Sequence, residues 1–256
     1  MITLNKLTTG YAKSGISKEI SSKLQLEIKK GSLVGILGSN GIGKSTLIKT
    51  LAGFQKPLSG NVQVEGKTVH EMTPQQRAKY MSIVLTERKF NGDLIGRELI
   101  QLGRQPHTNW RGKQTLEDRK IVSQILKQLN IEQLANQMLK TMSDGEVQKI
   151  LLARALAQQT PIVFLDEPSS HLDLYNKSLL FREIKQIVQK EGKTVVFSSH
   201  DLNTSIQICD QIILLLNNQW EYGSPDELIE KGVFQNMFPK ETVLFDPKQK
   251  QFNICV

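Results

Sequence analysis

"GSNGIGKST", residues 38–46, decides the fold. It follows the apolar run "SLVGIL" at 32–37 and precedes "LIKTLAGF" at 47–54, so a glycine-rich turn joins a strand to a helix. The stretch satisfies G-x-x-x-x-G-K-[ST], with a third glycine at Gly41. Glycines let successive backbone N–H groups turn inward around phosphate oxygens, and the start of the following helix adds partial positive charge. Gly38, Ser39, Asn40, Gly41, Ile42 and Gly43 form the expected cradle. Lys44 would reach the β- and γ-phosphates, Ser45 would ligate Mg²⁺, and Thr46 would hydrogen-bond further back along the phosphate chain.

Working outward, "IVFLDEPSSHLD" at 162–173 carries a second apolar strand to a sheet edge, where Asp166 and Glu167 emerge together. One carboxylate suits Mg²⁺, and an adjacent one can polarise a water for attack on a γ-phosphate. An acidic pair ending a strand is often only a turn, but beside a phosphate cradle it reads as the hydrolytic half of an ATP site. "VVFSSHDL" at 195–202 is another apolar strand ending in polar residues, and it places His200 where it can reach the same phosphate.

These runs and "QIILLL" at 211–216 are apolar at consecutive positions, as expected for a parallel sheet covered on both faces. Helical periodicity lies between them, at Ile121, Ile125 and Gln128 beside Val122, Leu126 and Leu129, and in "EVQKILLARALAQ" at 146–158. Strands alternating with helices predict an α/β fold. Residues from about 90 to 159 lack strand runs and are expected to form a helical subdomain inserted in a core of about 1–89 and 160–256, all within one domain.

The chain of 256 residues is long enough for one large domain with an insertion. No apolar run approaches the length of a membrane span, and "MITLNKLTTGY" has no stretch of signal-peptide length. Cys209 and Cys255 form no metal-type cluster, which suits a reducing cytosol. Of the net charge of +8, much lies between Arg77 and Lys120, where ten Lys/Arg face five Asp/Glu. That excess is open to several readings: a solvated face, an anionic ligand, nucleic acid or an acidic membrane surface.

"TMSDGEVQK" at 141–149 is odder. Ser143 and Glu146 have the spacing of a capping box, yet Gly145 sits in the first turn, where glycine costs stability. Either this is a helix cap alone, or the backbone must come close to something. At the far end, "GSPDELI" predicts a helix capped by Ser224 with Pro225 in its first turn. Trp110 and Trp220 are read as packing residues.

In this order the motifs resemble the ATP-binding cassette (ABC) family over nearly the entire chain. "GSNGIGKST" resembles its Walker A motif, "IVFLDEP" its Walker B motif with the catalytic glutamate, and "SSHLD", ending in Asp173, its D-loop. His200 is similar to its switch histidine, Tyr11 stands where the family stacks an aromatic residue on adenine, and "MSDGEVQ" occupies the place of the signature LSGGQ. The resemblance implies a P-loop core with a parallel or mixed sheet and an inserted helical subdomain. It implies ATP and Mg²⁺, with Lys44, Glu167 and His200 catalytic and Ser45, Asp166 and Thr86 at the metal.

It further implies that Ser143 and Gly145 contact the γ-phosphate held by a second copy, so that the working unit is a head-to-tail dimer. Two departures stand out. Asp144 and Glu146 replace a glycine and a glutamine, and Thr86, followed by Glu87, stands where the family carries a metal-touching glutamine. "LIQLGRQPHTNWRG" at 99–112 resembles subunits that energise import of iron siderophores, haem or cobalamin. The implied partners are a polytopic permease, a second ATP-binding subunit and, indirectly, a periplasmic or surface binding protein, without nucleic acid. The implied location is peripheral, on the cytoplasmic face of the inner membrane. The alternative is a soluble, non-transport ABC ATPase of iron–sulfur assembly, ribosomes or DNA.

Overall fold

The computed structural model describes residues 1–256 except 14–15, 87–92, 109–111, 113, 218, 240 and 256, with backbone alone at 12–13 and 16–17. An N-terminal antiparallel sheet combines β1 (Ile2–Lys13), β2 (Ile16–Ile28), β4 (Ser59–Val64) and β5 (Lys67–Thr68) in the order β2-β1-β4-β5. The second sheet holds β3 (Leu33–Leu37), β6 (Met81–Val84), β7 (Ile162–Leu165), β8 (Thr194–Ser199), β9 (Gln211–Leu216) and β10 (Gln219–Gly223). Its order is β10-β9-β3-β8-β7-β6, parallel throughout except for β10 on one edge. The molecule is thus an α/β protein, and the apolar runs at 33–37, 162–165, 194–199 and 211–216 form its central strands.

Every residue of β3, β7 and β8 is buried. Strand alternation sends Val34 and Ile36 into a core shared with the first sheet, where they meet Leu4, Leu47 and Phe164. Leu33 and Leu37 face the opposite core, with Ile184 and Phe197. Two covered faces explain why these strands read as unbroken apolar runs.

Eight helices are assigned among the described residues. α1 (Lys44–Leu51) leaves the phosphate cradle, and α2 (Pro74–Tyr80) precedes β6. Between β6 and β7 lie α3 (Gly96–Leu102), α4 (Leu116–Gln128) and α5 (Asp144–Ala157), with one isolated bridge between Ile95 and Met138. α6 (Leu174–Glu191) and α7 (Leu202–Ile208) follow β7 and β8, and α8 (Pro225–Glu230) follows β10 with Ser224 and Glu227 forming its capping box. A closing hairpin, β11 (Val243–Asp246) with β12 (Gln251–Ile254), packs Phe245 and Phe252 against Phe234.

The three inserted helices are tied by one buried guanidinium. Arg104 Nε donates to Asp118 Oδ1 at 2.8 Å, and its Nη1 donates to Ala157 O at 2.7 Å and Gln159 Oε1 at 2.8 Å. Asp118 also accepts from the N–H of Thr115, the residue that caps α4. That N–H bond, with Arg104 beside it, lowers the Asp118 carboxyl to about 2. Gln158 then fastens the end of α5 to the core by donating to Ala78 O and Met81 O.

Candidate functional site

The parallel strands end together, and the candidate site is built on their carboxyl ends, as open α/β sheets generally arrange. The turn from Gly38 to Gly43 leaves β3, and α1 begins at Lys44 with Gly43 as its N-cap residue at φ 107°. A Cβ at position 43 would collide with Ile20 Cγ2, so only glycine lets β2 press this close to the helix start. Lys44 is 4% exposed and donates to the carbonyls of Gly38 and Ser39 at 3.1 Å each. Its ammonium is also 3.2 Å from Glu167 Oε1. A cavity of about 340 Å³ opens over the turn, with Tyr11, Lys18 and Ile20 on one side and Glu167 on the other.

Asp166 and Glu167 leave β7 in different directions. Asp166 Oδ1 accepts from Ser45 Oγ at 2.9 Å and from Ser198 Oγ at 2.7 Å. Ser198 also accepts the Glu167 N–H at 2.8 Å, so this wholly buried hydroxyl holds both acidic residues. Glu167 has φ 48°, a left-handed conformation that costs a non-glycine residue about 1–2 kcal/mol. The twist aims its carboxylate across the cavity, where Oε1 faces Lys44 and Oε2 lies 2.9 Å from His200 Nδ1. Lys44, Glu167 and His200 therefore converge. Ser198 was missed by sequence reasoning, although the parallel register pairing Leu165 with Phe197 puts Ser198 beside Asp166.

Ser45, Thr86 and Asp166 border a smaller space of about 250 Å³ next to Glu167. Hydroxyl and carboxylate oxygens are the donors a hard divalent cation takes when it shares a substrate's phosphates, so the set fits Mg²⁺. The Thr86 hydroxyl donates to the backbone carbonyl of Asp166 at 3.0 Å. Glu87 and Trp110 lie outside the described residues. Trp220 is partly buried, with its indole N–H donating to Ser22 O at 3.1 Å, a packing role.

Tyr11, 52% exposed, stands at the cavity mouth with its hydroxyl 2.7 Å from Thr46 Oγ1. Ser143 and Gly145 do not line the cavity. Ser143 caps α5, and Glu146 Oε2 accepts from both the N–H and the hydroxyl of Ser143 at 2.8 Å. Those bonds hold the Glu146 carboxyl below its usual range and turn it back onto the cap. Asp173 is likewise outside the cavity, and it caps α6 through the N–H of Asn176 at 2.8 Å.

A family model described as "ABC transporter" matches residues 21–170. The petrobactin import ATP-binding protein FpuC of Bacillus anthracis is 33% identical over 98% of this chain and 92% of its own length. The cobalamin import ATP-binding protein BtuD of Halobacterium salinarum is 30% identical over 86% of this chain and 55% of its own. Among solved structures, an inward-facing putative metal-chelate type ABC transporter superposes with TM-score 0.81 at 26% identity, over 93% of this chain and 88% of the other. The ADP- and Pi-bound dimer of the ATP-binding cassette MJ0796 gives TM-score 0.76 at 27% identity, over 88% and 99%. With the cradle, the acidic pair and the histidine assembled on one sheet edge, these matches lead to one conclusion: the chain belongs to the ABC transporter family and is an ABC ATPase that hydrolyses ATP to power transport.

Proposed function

We propose that the chain is the ATP-hydrolysing subunit of an importer that takes up an iron chelate (siderophore), haem or cobalamin through a membrane permease. It works as a head-to-tail pair with a second ATP-binding subunit, on the cytoplasmic face of the membrane. The observation that carries the mechanism is the Lys44–Glu167–His200 chain, at 3.2 and 2.9 Å. Lys44 pairs with the carboxylate of Glu167, the residue placed to act as base. A γ-phosphate entering the cradle competes for Lys44, and the freed carboxylate of Glu167 takes a proton from the attacking water. His200 then orients Glu167 and the γ-phosphate together. Ser45 and Asp166, with Thr86 beside them, would hold Mg²⁺, which would supply charge neutralisation of the phosphate oxygens.

Ser143 and Gly145 lie away from this chain's own cavity, which suits a role toward the nucleotide of the partner. Asp173, at the start of α6, belongs to the same interface. The permease assignment is supported by a groove of about 410 Å³ between the core and the inserted helices. Phe54 is 65% exposed there, and Arg154 lines the same groove. No helix among the described residues is long and apolar enough to cross a membrane. The cargo class rests on the likeness to petrobactin and cobalamin import subunits.

The test is Glu167→Gln. It should retain ATP and lower turnover by about 10²–10⁴-fold, and ATP should drive the variant into pairs seen by sedimentation. Unimpaired turnover would remove Glu167 from the role of base. Co-purification with a permease followed by uptake of ferric chelates and corrinoids decides the cargo.

A further inference from the structure

Gly145 is not in a left-handed conformation, so its backbone does not itself demand glycine. A neighbour in the same chain crowds the position instead. A Cβ at position 145 would stand 3.3 Å from both Cγ and Oδ1 of Asn176, in the first turn of α6. Asn176 cannot swing aside freely. Its backbone N–H donates to Asp173 Oδ1 at 2.8 Å and its Nδ2 donates to Asp173 Oδ2 at 3.0 Å. The second bond also settles which side of the amide faces the carboxylate, leaving Oδ1 toward Gly145.

Asp173 ends a tight loop that starts at Glu167. Ser170 donates to Glu167 O through its N–H at 3.2 Å and its hydroxyl at 2.9 Å. Leu172 N–H donates to Ser169 O at 3.3 Å, and His171 has φ 69°. Those bonds tie the chain from Glu167 to the start of α6 into one compact turn.

We propose that Asn176 is a positioning residue: held by Asp173, its amide rests on Gly145 and fixes where Ser143 stands relative to Glu167 of the same chain. This rests on the paired-subunit reading, in which Ser143 serves the partner's nucleotide while Glu167 serves its own. The contact then links the two half-sites within each subunit.

A double-mutant cycle tests it, using N176A, G145A and G145A/N176A in the full chain. N176A removes Cγ and Oδ1 but keeps the backbone bond to Asp173, so α6 remains capped. It should lower kcat about fivefold while leaving the melting temperature and the nucleotide affinity of a single subunit near wild type. G145A should cost about tenfold in kcat when Asn176 is present but less than about threefold when introduced into N176A, because the added methyl then has room. Equal cost of G145A in both backgrounds would overturn the role of Asn176. ATP-driven pairing of Glu167→Gln is measured in parallel, and its failure would overturn the paired-subunit reading and this coupling together. With pairing intact, the cycle alone decides Asn176.

Discussion

Ser198→Ala is the sharpest probe of how the acidic pair is held. The hydroxyl is fully buried, donates to Asp166 Oδ1 at 2.7 Å and accepts the Glu167 N–H at 2.8 Å. Alanine fits the space but deletes both bonds. Losing the donor to a carboxylate costs about 1.5–3 kcal/mol, and leaving the half-buried Glu167 N–H unpaired costs at most about 1–3 kcal/mol. Asp166 keeps Ser45 as a donor, at 2.9 Å, so the lower half of each range applies and the loss is about 3 kcal/mol in all. Domains of ordinary stability survive that, since unfolding typically costs about 5–15 kcal/mol.

Turnover should fall separately. Glu167 sits at φ 48°, and the bond from its N–H to Ser198 is one of the restraints that keep it there. Relaxation to negative φ would swing the carboxylate away from Lys44 and His200. At about 1.4 kcal/mol per factor of ten, losing this orientation lowers kcat about ten- to thirtyfold. Urea unfolding followed by circular dichroism gives the first quantity, and a coupled ATPase assay at saturating ATP gives the second. Turnover within about twofold of wild type, with a stability loss under about 0.5 kcal/mol, would refute the claim that Ser198 holds the pair.

Asp118→Asn should remove an acid-dependent contribution to stability. The folded carboxyl sits at about 2 against an ordinary 3.8, so its stabilisation is fully present above about pH 4 and is lost as pH falls through about 2. The group is buried, and the shift is worth about 2 kcal/mol, of which about 1 kcal/mol is gone by pH 3. Urea midpoints at pH 5 and pH 3 should therefore differ more for the wild type than for the variant. Arg154→Glu, which leaves the ATP site untouched, should cut permease-dependent uptake at least about tenfold while the isolated subunit hydrolyses ATP at its normal rate. Normal uptake would exclude the groove as the docking face. Thr86→Gln should modestly change the stimulation of ATPase activity by the permease, because Thr86 hydrogen-bonds the Asp166 backbone. No effect on hydrolysis or uptake would make that loop a spacer.

The local chemistry was legible in the sequence. The cradle at 38–46, the acid pair at 166–167 and the caps at Ser143 and Ser224 each depend on residues within a few positions of one another, so spacing alone exposes them. The four central apolar runs were legible for the same reason. The N-terminal sheet was passed over even though Leu24, Leu26 and Ile28 alternate with exposed Gln25 and Glu27. A strand buried on one face carries that weaker period-two signal, not an unbroken run. Ser198, Lys18 and Ile20 became site residues only when distant strands were brought together. The fold also adds local neighbours at two motif positions: Asp173 caps α6 through the N–H of Asn176, and a Cβ at Gly145 would stand 3.3 Å from the Asn176 side chain. Sequence spacing reports what a residue does along its own segment. Which surface it must fit is set by chain remote in sequence, and only the folded structure supplies that.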